Sequence, residues 1–342
     1  MNGKKHSITM YLAVIGMLVF IFDGRTAMQG AAEGIQICIR TVIPSLFPFF
    51  VLSILLTSTI CNYSFRILSP IGRLCGMRRG TEPLLLTGLL GGYPVGAQSI
   101  IQGYRQGQLT RLEAERLLGF CNNAGPAFIF GIASHLFSTF WVVWILWGIH
   151  ILSALIIGAI LPGRNTGMAN FSNNAPIDLP SAVTKAIKIT ATVSGWIILF
   201  RTLIAFLNHW FLWILPQWLQ LFCIGVLELA NGCHSLMQTG SEPLRFLLSA
   251  VILGFGGVCV GMQTVSVTGD FGTGMYFPGK LMQGTCSLML ASLVSPFIFS
   301  SITLQFGFIV AGIALLFLSI IRVTLSPVKK RVAFWKKGVY NS

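Results

Sequence analysis

The chain has 342 residues, of which 54% are hydrophobic and only 9% are charged, and its formal net charge is +14. Soluble globular domains carry about a quarter charged residues, so this composition excludes an ordinary soluble fold. The apolar residues form long runs and not the alternating pattern of a transmembrane barrel. We therefore predict an all-α polytopic protein of the cell membrane, embedded in the lipid bilayer.

The positive charge is concentrated at the ends of apolar runs and in the segment 323–342. This distribution is typical of cytoplasmic loops, and it predicts a basic cytoplasmic tail at the C-terminus. No basic soluble domain is present, which argues against nucleic-acid binding. The eight cysteines are scattered without a C-x-x-C pair, so we predict neither a metal site nor a cofactor.

The apolar runs predict about 8–10 membrane segments. Residues 1–33 contain a first span that we expect to be retained, because no small-residue cleavage site follows it. Residues 34–161 form a first half, and the polar, turn-rich stretch 162–182 is a predicted linker. Residues 183–322 form the second half, with apolar segments at 183–207 and 210–232, a broken segment expected at 244–268, and spans expected at 281–300 and 303–321.

Two prolines, Pro44 and Pro48, lie four residues apart in the apolar run 34–60. Proline lacks the amide hydrogen and its ring clashes with the carbonyl one turn earlier, so the pair predicts a helix break. Ser45 lies between them, where a break would expose backbone carbonyls to a solute.

A second interruption lies within the apolar segment 83–104, whose central residues read Gly-Gly-Tyr-Pro-Val-Gly-Ala-Gln at 91–98. Glycine and proline weaken helical hydrogen bonding, and backbone groups freed at membrane depth need partners in protein or in a wet cavity. Arginines flank both ends of the segment, which favours a re-entrant hairpin over a single crossing. A simple packing kink is the structural alternative, because small residues let membrane helices approach closely.

Residues 256–263 repeat five of the eight residues at 91–98. Each copy is preceded by Glu-Pro-Leu and followed by two apolar spans, so we predict an internal duplication of 34–161 in 210–322. Repeats with interrupted segments at matching positions are typical of transporters. The halves are parallel if 183–207 is a full span and inverted if it is interfacial, and the sequence leaves both open.

The two copies and the polar patch at 119–126 supply candidate ligands for a solute. Side-chain amides both donate and accept hydrogen bonds, which suits a polar uncharged solute, although interhelical hydrogen bonds are the alternative role. The candidate solute-binding residues are Gly91, Gly92, Tyr93, Pro94, Gly96, Gln98, Asn122, Asn123, Gly256, Gly257, Gly261 and Gln263.

Glu228 and Asn231 lie three residues apart and would share one face of a helix in the span 210–232. An acidic residue inside a span is costly and commonly lines a pathway or pairs with a base. Coordination of a coupling proton or Na⁺ is one hypothesis, and pairing of Glu228 with Arg201 is the other.

Three motifs, at 43–50, 91–97 and 114–126, resemble the YlbJ-type sporulation integral membrane proteins. Those belong to the nucleoside-recognition, or gate-domain, membrane proteins, which are similar to concentrative nucleoside transporters. The resemblance implies a nucleoside-transporter-like fold, a plasma-membrane location and a role in forming heat-resistant spores, but no substrate. The second copy departs from the pattern, because Val258 and Cys259 replace the Tyr-Pro pair.

No serine-nucleophile motif, phosphate-binding loop or pair of catalytic carboxylates is present, so we do not expect an enzyme. We expect a sporulation-associated membrane protein that binds or moves a small polar solute. The alternative is a non-transporting assembly factor for the spore envelope. The sequence does not indicate an oligomeric state.

Overall fold

A computed structural model describes residues 2–60, 66–163 and 177–299. The predicted span 303–321, the tail 323–342 and most of the linker 162–182 lie outside the described residues. All regular secondary structure within the described ranges is helical, and five helical segments there are long and apolar enough to cross a membrane. The predicted class, an all-α polytopic membrane protein, is confirmed.

The described residues between 2 and 163 contain nine α-helices and a π-helical turn. They are α1 (Asn2–Phe22), α2 (Gly24–Ile37), the π turn (Cys38–Val42), α3 (Ile43–Ile60), α4 (Ser69–Leu74), α5 (Glu82–Leu90), α6 (Val95–Arg105), α7 (Arg111–Leu118), α8 (Pro126–Gly131) and α9 (Trp141–Ile160). The second half as described consists of α10 (Leu179–Trp210), α11 (Gln217–Leu227), α12 (Leu229–Leu236), α13 (Glu242–Phe255), α14 (Gly257–Thr268) and α15 (Tyr276–Phe299).

The predicted break at Pro44, Ser45 and Pro48 is wrong, because α3 runs through both prolines. The π turn immediately before Pro44 widens the helix, and the amide of Ile43 donates to the carbonyl of Cys38, five residues back. The Ser45 hydroxyl donates to the Thr41 carbonyl at 2.7 Å, which satisfies one backbone group of the loosened turn. The helix therefore absorbs the prolines without ending.

The segment 83–104 is a hairpin, as the flanking arginines predict. α5 and α6 pack against each other, and a Cβ on Gly96 would lie 3.0 Å from the Cα of Gly88. Those residues would be about 12 Å apart along a straight helix. The chain therefore reverses at Gly91–Pro94, and we call this unit hairpin 1.

The predicted span 210–232 is wrong, because α11 and α12 form a second hairpin that turns at Glu228. A Cβ on Gly232 would lie 2.4 Å from the Cα of Gly225, so the two helices touch through glycines. We call this unit hairpin 2. Its turn contains neither a glycine pair nor a proline, which is why the apolar run suggested one continuous helix.

Each half also contains an interrupted helix. Residues 119–125 between α7 and α8 are not helical, so the polar patch at 119–126 coincides with a break, which we call the first interruption. α13 and α14 are separated at Gly256, which has a φ of 85°, and we call this break the second interruption. The two helices nevertheless belong to one 30-residue segment that is long enough to cross a membrane. The two similar sequences therefore differ in structure: 91–98 contains a hairpin turn, and 256–263 starts at the interruption of a long helix.

The long helix α10 packs along α2 through small residues. A Cβ on Gly30 would lie 2.9 Å from the Cα of Thr202, the close approach expected of membrane helices. Arg201 on α10 forms an ion pair with Glu33 on α2. Pairing of Arg201 with Glu228, one of the two sequence-based hypotheses, is therefore wrong.

Candidate functional site

The turns of both hairpins and both helix interruptions meet at one place. A Cβ on Gly92 in hairpin 1 would lie 2.9 Å from the backbone nitrogen of Gly125, in the first interruption. A Cβ on Gly256 in the second interruption would lie 2.6 Å from the hydroxyl of Tyr93. One on Gly257 would lie 3.4 Å from the amide nitrogen of Leu229 in hairpin 2. Four irregular stretches of backbone thus contact one another inside the helical bundle.

A small cavity lies at this meeting point, and we call it the central cavity. The hairpin turns and the interruptions contribute its polar groups, whereas α3 and α8 contribute aromatic rings. Its wall includes Gly91, Gly92, Tyr93, Gly125, Glu228 and Gln263, together with Phe49, Phe50 and Phe128. Such an arrangement, mainly apolar with a few polar groups, is typical of a site for a small molecule.

Tyr93 spans the space between hairpin 1 and the second interruption. The peptide bond from Tyr93 to Pro94 is cis, and Pro94 caps the start of α6. The buried Tyr93 hydroxyl has no hydrogen-bond partner among the described residues, although it lies against Gly256. A buried hydroxyl without a partner is costly, so this group is available to a bound solute.

Glu228 is buried at the turn of hairpin 2 and reaches the central cavity. Its carboxylate accepts hydrogen bonds from the amide of Ala230 at 3.0 Å, and from the amide and the side chain of Asn231, both at 2.6 Å. The carboxylate therefore caps the start of α12. Asn231 Oδ1 has no partner within the described part of the chain. The coupling-ion role of Glu228 and Asn231 stays a prediction.

Asn122 and Asn123 are both fully buried, and they point to different elements. Asn122 Oδ1 accepts from the Ala97 amide at 3.2 Å, and its Nδ2 donates to the Thr264 hydroxyl at 3.1 Å. It therefore joins hairpin 1 to α14. Asn123 Oδ1 accepts a hydrogen bond of 2.8 Å from Nζ of Lys280 on α15. Both side chains hold the broken elements together around the cavity.

Gln98 and Gln263 do not share a cavity, contrary to what their matched positions suggest. Gln263 lines the central cavity, whereas Gln98 lines a second cavity at the base of hairpin 1. We call this the amide-rich cavity, because Gln102, Gln106 and Gln108 also border it. The two glutamines line different cavities because the chain reverses direction within 91–98, whereas 256–263 continues a long helix.

The two cavities are neighbours along α3 and α10. The central cavity is bordered by Phe50 and Val193, and the amide-rich cavity is bordered by Ile54 and Ile189. On each helix the two residues lie four positions apart, which is about one helical turn.

Gly96 and Gly261 serve helix packing. A Cβ on Gly96 would lie 2.5 Å from the Cys121 carbonyl, and one on Gly261 would lie 2.6 Å from the ring of Phe277. Neither glycine is part of the central cavity wall. Ser45 also packs between helices, because a Cβ on Gly131 of α8 would lie 2.7 Å from its Cβ.

Sequence reasoning missed Lys280, which is completely buried in α15. The span expected at 281–300 left this lysine just outside the membrane, but α15 begins at Tyr276 and places Lys280 one turn inside. It is the one charged residue between Asp270 and Arg322. A single lysine in such an uncharged stretch was the sequence signal that could have indicated a buried functional or structural role. His150 also contacts this region, because its Nε2 accepts a hydrogen bond from the amide of Ala124 in the first interruption.

Among the described residues, no group of three or more His, Cys, Asp or Glu side chains could hold a metal ion. The polar side chains of the central cavity wall are instead one hydroxyl, one carboxylate and one amide, those of Tyr93, Glu228 and Gln263. Such groups can donate and accept hydrogen bonds.

The architecture is that of a multi-pass membrane protein in which two hairpins and two interrupted helices enclose a small cavity. The chain is similar to the sporulation integral membrane protein YlbJ of Bacillus subtilis (strain 168), with 26% identity over 317 residues, 79% of this chain and 78% of the relative. This finding confirms the resemblance to YlbJ-type proteins. No family model matches the chain. No solved structure matches it either.

Proposed function

We propose that this protein binds a small polar solute in the central cavity and moves it across the plasma membrane during spore formation. The observation that carries the proposal is the meeting of both hairpin turns at one buried cavity, where Gly92, Tyr93 and Glu228 all line the wall. Irregular backbone at membrane depth is tolerated where it lines a cavity or is buried in protein. The similarity to a sporulation integral membrane protein supports the cellular setting.

The wall also indicates the kind of solute. Phe49, Phe50 and Phe128 offer flat apolar surfaces, while Tyr93, Glu228 and Gln263 offer hydrogen bonds. We therefore expect a neutral or weakly basic molecule with an unsaturated ring and several polar substituents. The amide-rich cavity, one turn away, offers a polar approach to the site from the base of hairpin 1.

The test measures binding to the purified full-length protein. Nucleosides, nucleobases, amino acids and sugars are screened by the rise in thermal unfolding midpoint, and compounds that bind are then tested for uptake in proteoliposomes. Gln263→Ala should weaken binding about tenfold, the effect of one lost hydrogen bond of about 1.4 kcal/mol. Gln98→Ala, which removes the same side chain from the other cavity, should leave the affinity unchanged.

The alternative, a non-transporting assembly factor, makes a different prediction. Expression of this chain in a Bacillus subtilis strain lacking YlbJ tests the sporulation role by the count of heat-resistant spores. If the chain restores spores, Gln263→Ala restores them equally, and no compound gives saturable binding, the transport proposal is wrong and assembly is favoured.

A further inference from the structure

Lys280 is completely buried, and the oxygen atoms that accept hydrogen bonds from it belong to neutral amides. Its Nζ donates to Asn123 Oδ1 at 2.8 Å and to Gln283 Oε1 at 2.7 Å. None of the ion pairs formed by the described residues includes it. A buried charge without a counter-ion is costly, so its surroundings must replace the lost hydration by other means.

The two amides are oriented so that their oxygens face the ammonium. Asn123 Nδ2 donates to the Phe120 carbonyl at 2.7 Å, and Gln283 Nε2 donates to the His150 carbonyl at 3.3 Å. Because each amide nitrogen is fixed on a backbone carbonyl, each oxygen is left for Lys280. The ligands are thus held in place by a second set of hydrogen bonds, as in a metal site.

The face of an aromatic ring completes the surroundings. Nζ lies 5.4 Å from the centroid of Tyr93, within the range of a cation–π interaction. The ammonium therefore contacts the turn of hairpin 1, the first interruption through Asn123, and α15 through Gln283. Cys121 and His150 are the other titratable groups close to this position.

We propose that Lys280 Nζ occupies a built monovalent-cation site, in which the protein supplies its own cation to lock hairpin 1 against the first interruption and α15. Amide oxygens and the face of an aromatic ring are ligands that suit a small alkali cation as well as an ammonium. The chain accordingly needs no exchangeable ion at this position. The proposal concerns stability and stands whether or not the protein transports a solute.

The decisive experiment removes the ammonium and supplies a soluble cation. Lys280→Ala leaves both amide oxygens and an open space, whereas Lys280→Met removes the same charge but fills most of the space. The full-length protein is purified in detergent, and its thermal unfolding midpoint is measured in NaCl, LiCl, KCl and choline chloride at equal ionic strength. Lys188→Ala, at an exposed lysine of α10, is the control for loss of a lysine.

We expect Lys280→Ala to unfold at a lower temperature than the wild type in choline chloride. Na⁺ or Li⁺ should raise its midpoint by at least about 3 °C in a saturable manner, because a ligand of the folded state stabilises it. The wild type, Lys280→Met and Lys188→Ala should show no difference between the salts. Adding Asn123→Leu to Lys280→Ala should abolish the rescue.

Two results would overturn the proposal. One is a folded Lys280→Ala protein whose midpoint is the same in all four salts. The other is aggregation of Lys280→Ala in every salt, since an external cation would then fail to replace the ammonium. If monodisperse Lys280→Ala can be purified only in NaCl or LiCl, the proposal is supported, because the soluble cation is then needed for the variant to fold.

Discussion

Gly225 and Gly232 are in direct backbone contact across hairpin 2, so close that a Cβ on Gly232 would lie 2.4 Å from the Cα of Gly225. Hairpin 1 is closed in the same way by Gly88 and Gly96. Both hairpins therefore depend on glycine pairs where their two helices cross. Larger side chains at these contacts would separate the helices and displace the turns that line the central cavity.

The first prediction follows from this contact. Gly232→Ala should destabilise the protein by about 1–3 kcal/mol, the usual effect of overpacking. Gly195→Ala is the matched control, because Gly195 lies within α10 with nothing within 4 Å of a Cβ, and it should be neutral or slightly stabilising. Thermal unfolding of both variants in detergent measures the difference. Equal midpoints would mean that hairpin 2 does not need this contact.

Much of hairpin 1 could be predicted from the sequence. Its glycine pair, its proline and the arginines at both ends are local signals, and local signals are sufficient for a turn. The capping box at the start of α7 is another such signal, and Thr110 and Glu113 form it as their spacing indicates. The order of helices around these signals was therefore predictable in the first half.

Hairpin 2 and the buried lysine could not be predicted in this way. The turn at Glu228 is stabilised by the Glu228 carboxylate, which caps α12. In the sequence, a glutamate with this role cannot be distinguished from any acidic residue at the end of a span. Lys280 is stabilised by Asn123, which lies 157 positions earlier in the chain. Contacts of that kind exist only in the folded protein, so the sequence near Lys280 contains its partner Gln283 but gives no sign of Asn123.

The second prediction concerns Arg116, which is buried and donates to backbone carbonyls of Cys75, Gly76, Gly158 and Leu161. Arg116→Met would leave these carbonyls without their donor, and we expect a loss of at least about 3 kcal/mol. Arg105→Met, at an exposed arginine, should have little effect. The yield of monodisperse protein and its thermal midpoint check the prediction, which fails if the two variants behave alike.

The third prediction concerns Asn122, which joins the Ala97 amide to the Thr264 hydroxyl. A double-mutant cycle with Asn122→Ala and Thr264→Val should give a coupling energy of about 0.5–1.5 kcal/mol in the stability. Asn122→Ala should be the more harmful single change, because it also leaves the Ala97 amide without its acceptor. Strictly additive effects would show that the hydrogen bond between the two side chains contributes nothing to stability.

The fourth prediction concerns Gly256, whose φ of 85° favours glycine and whose missing Cβ makes room for the Tyr93 hydroxyl. Gly256→Ala should both strain the backbone and push Tyr93 out of position, so it should lower stability and weaken solute binding. Gly269→Ala separates the two effects, because Gly269 has a φ of 52° but nothing within 4 Å of a Cβ. That variant should lower stability alone.

Removing the hydroxyl should partly reverse the effect of Gly256→Ala. The double variant Gly256→Ala/Tyr93→Phe relieves the 2.6 Å contact while the backbone strain remains. We expect it to recover stability relative to Gly256→Ala, whereas Gly269→Ala/Tyr93→Phe should gain nothing over Gly269→Ala. Thermal unfolding of the four variants is the measurement. If Tyr93→Phe has the same effect in both backgrounds, Tyr93 does not pack against Gly256 in the working protein.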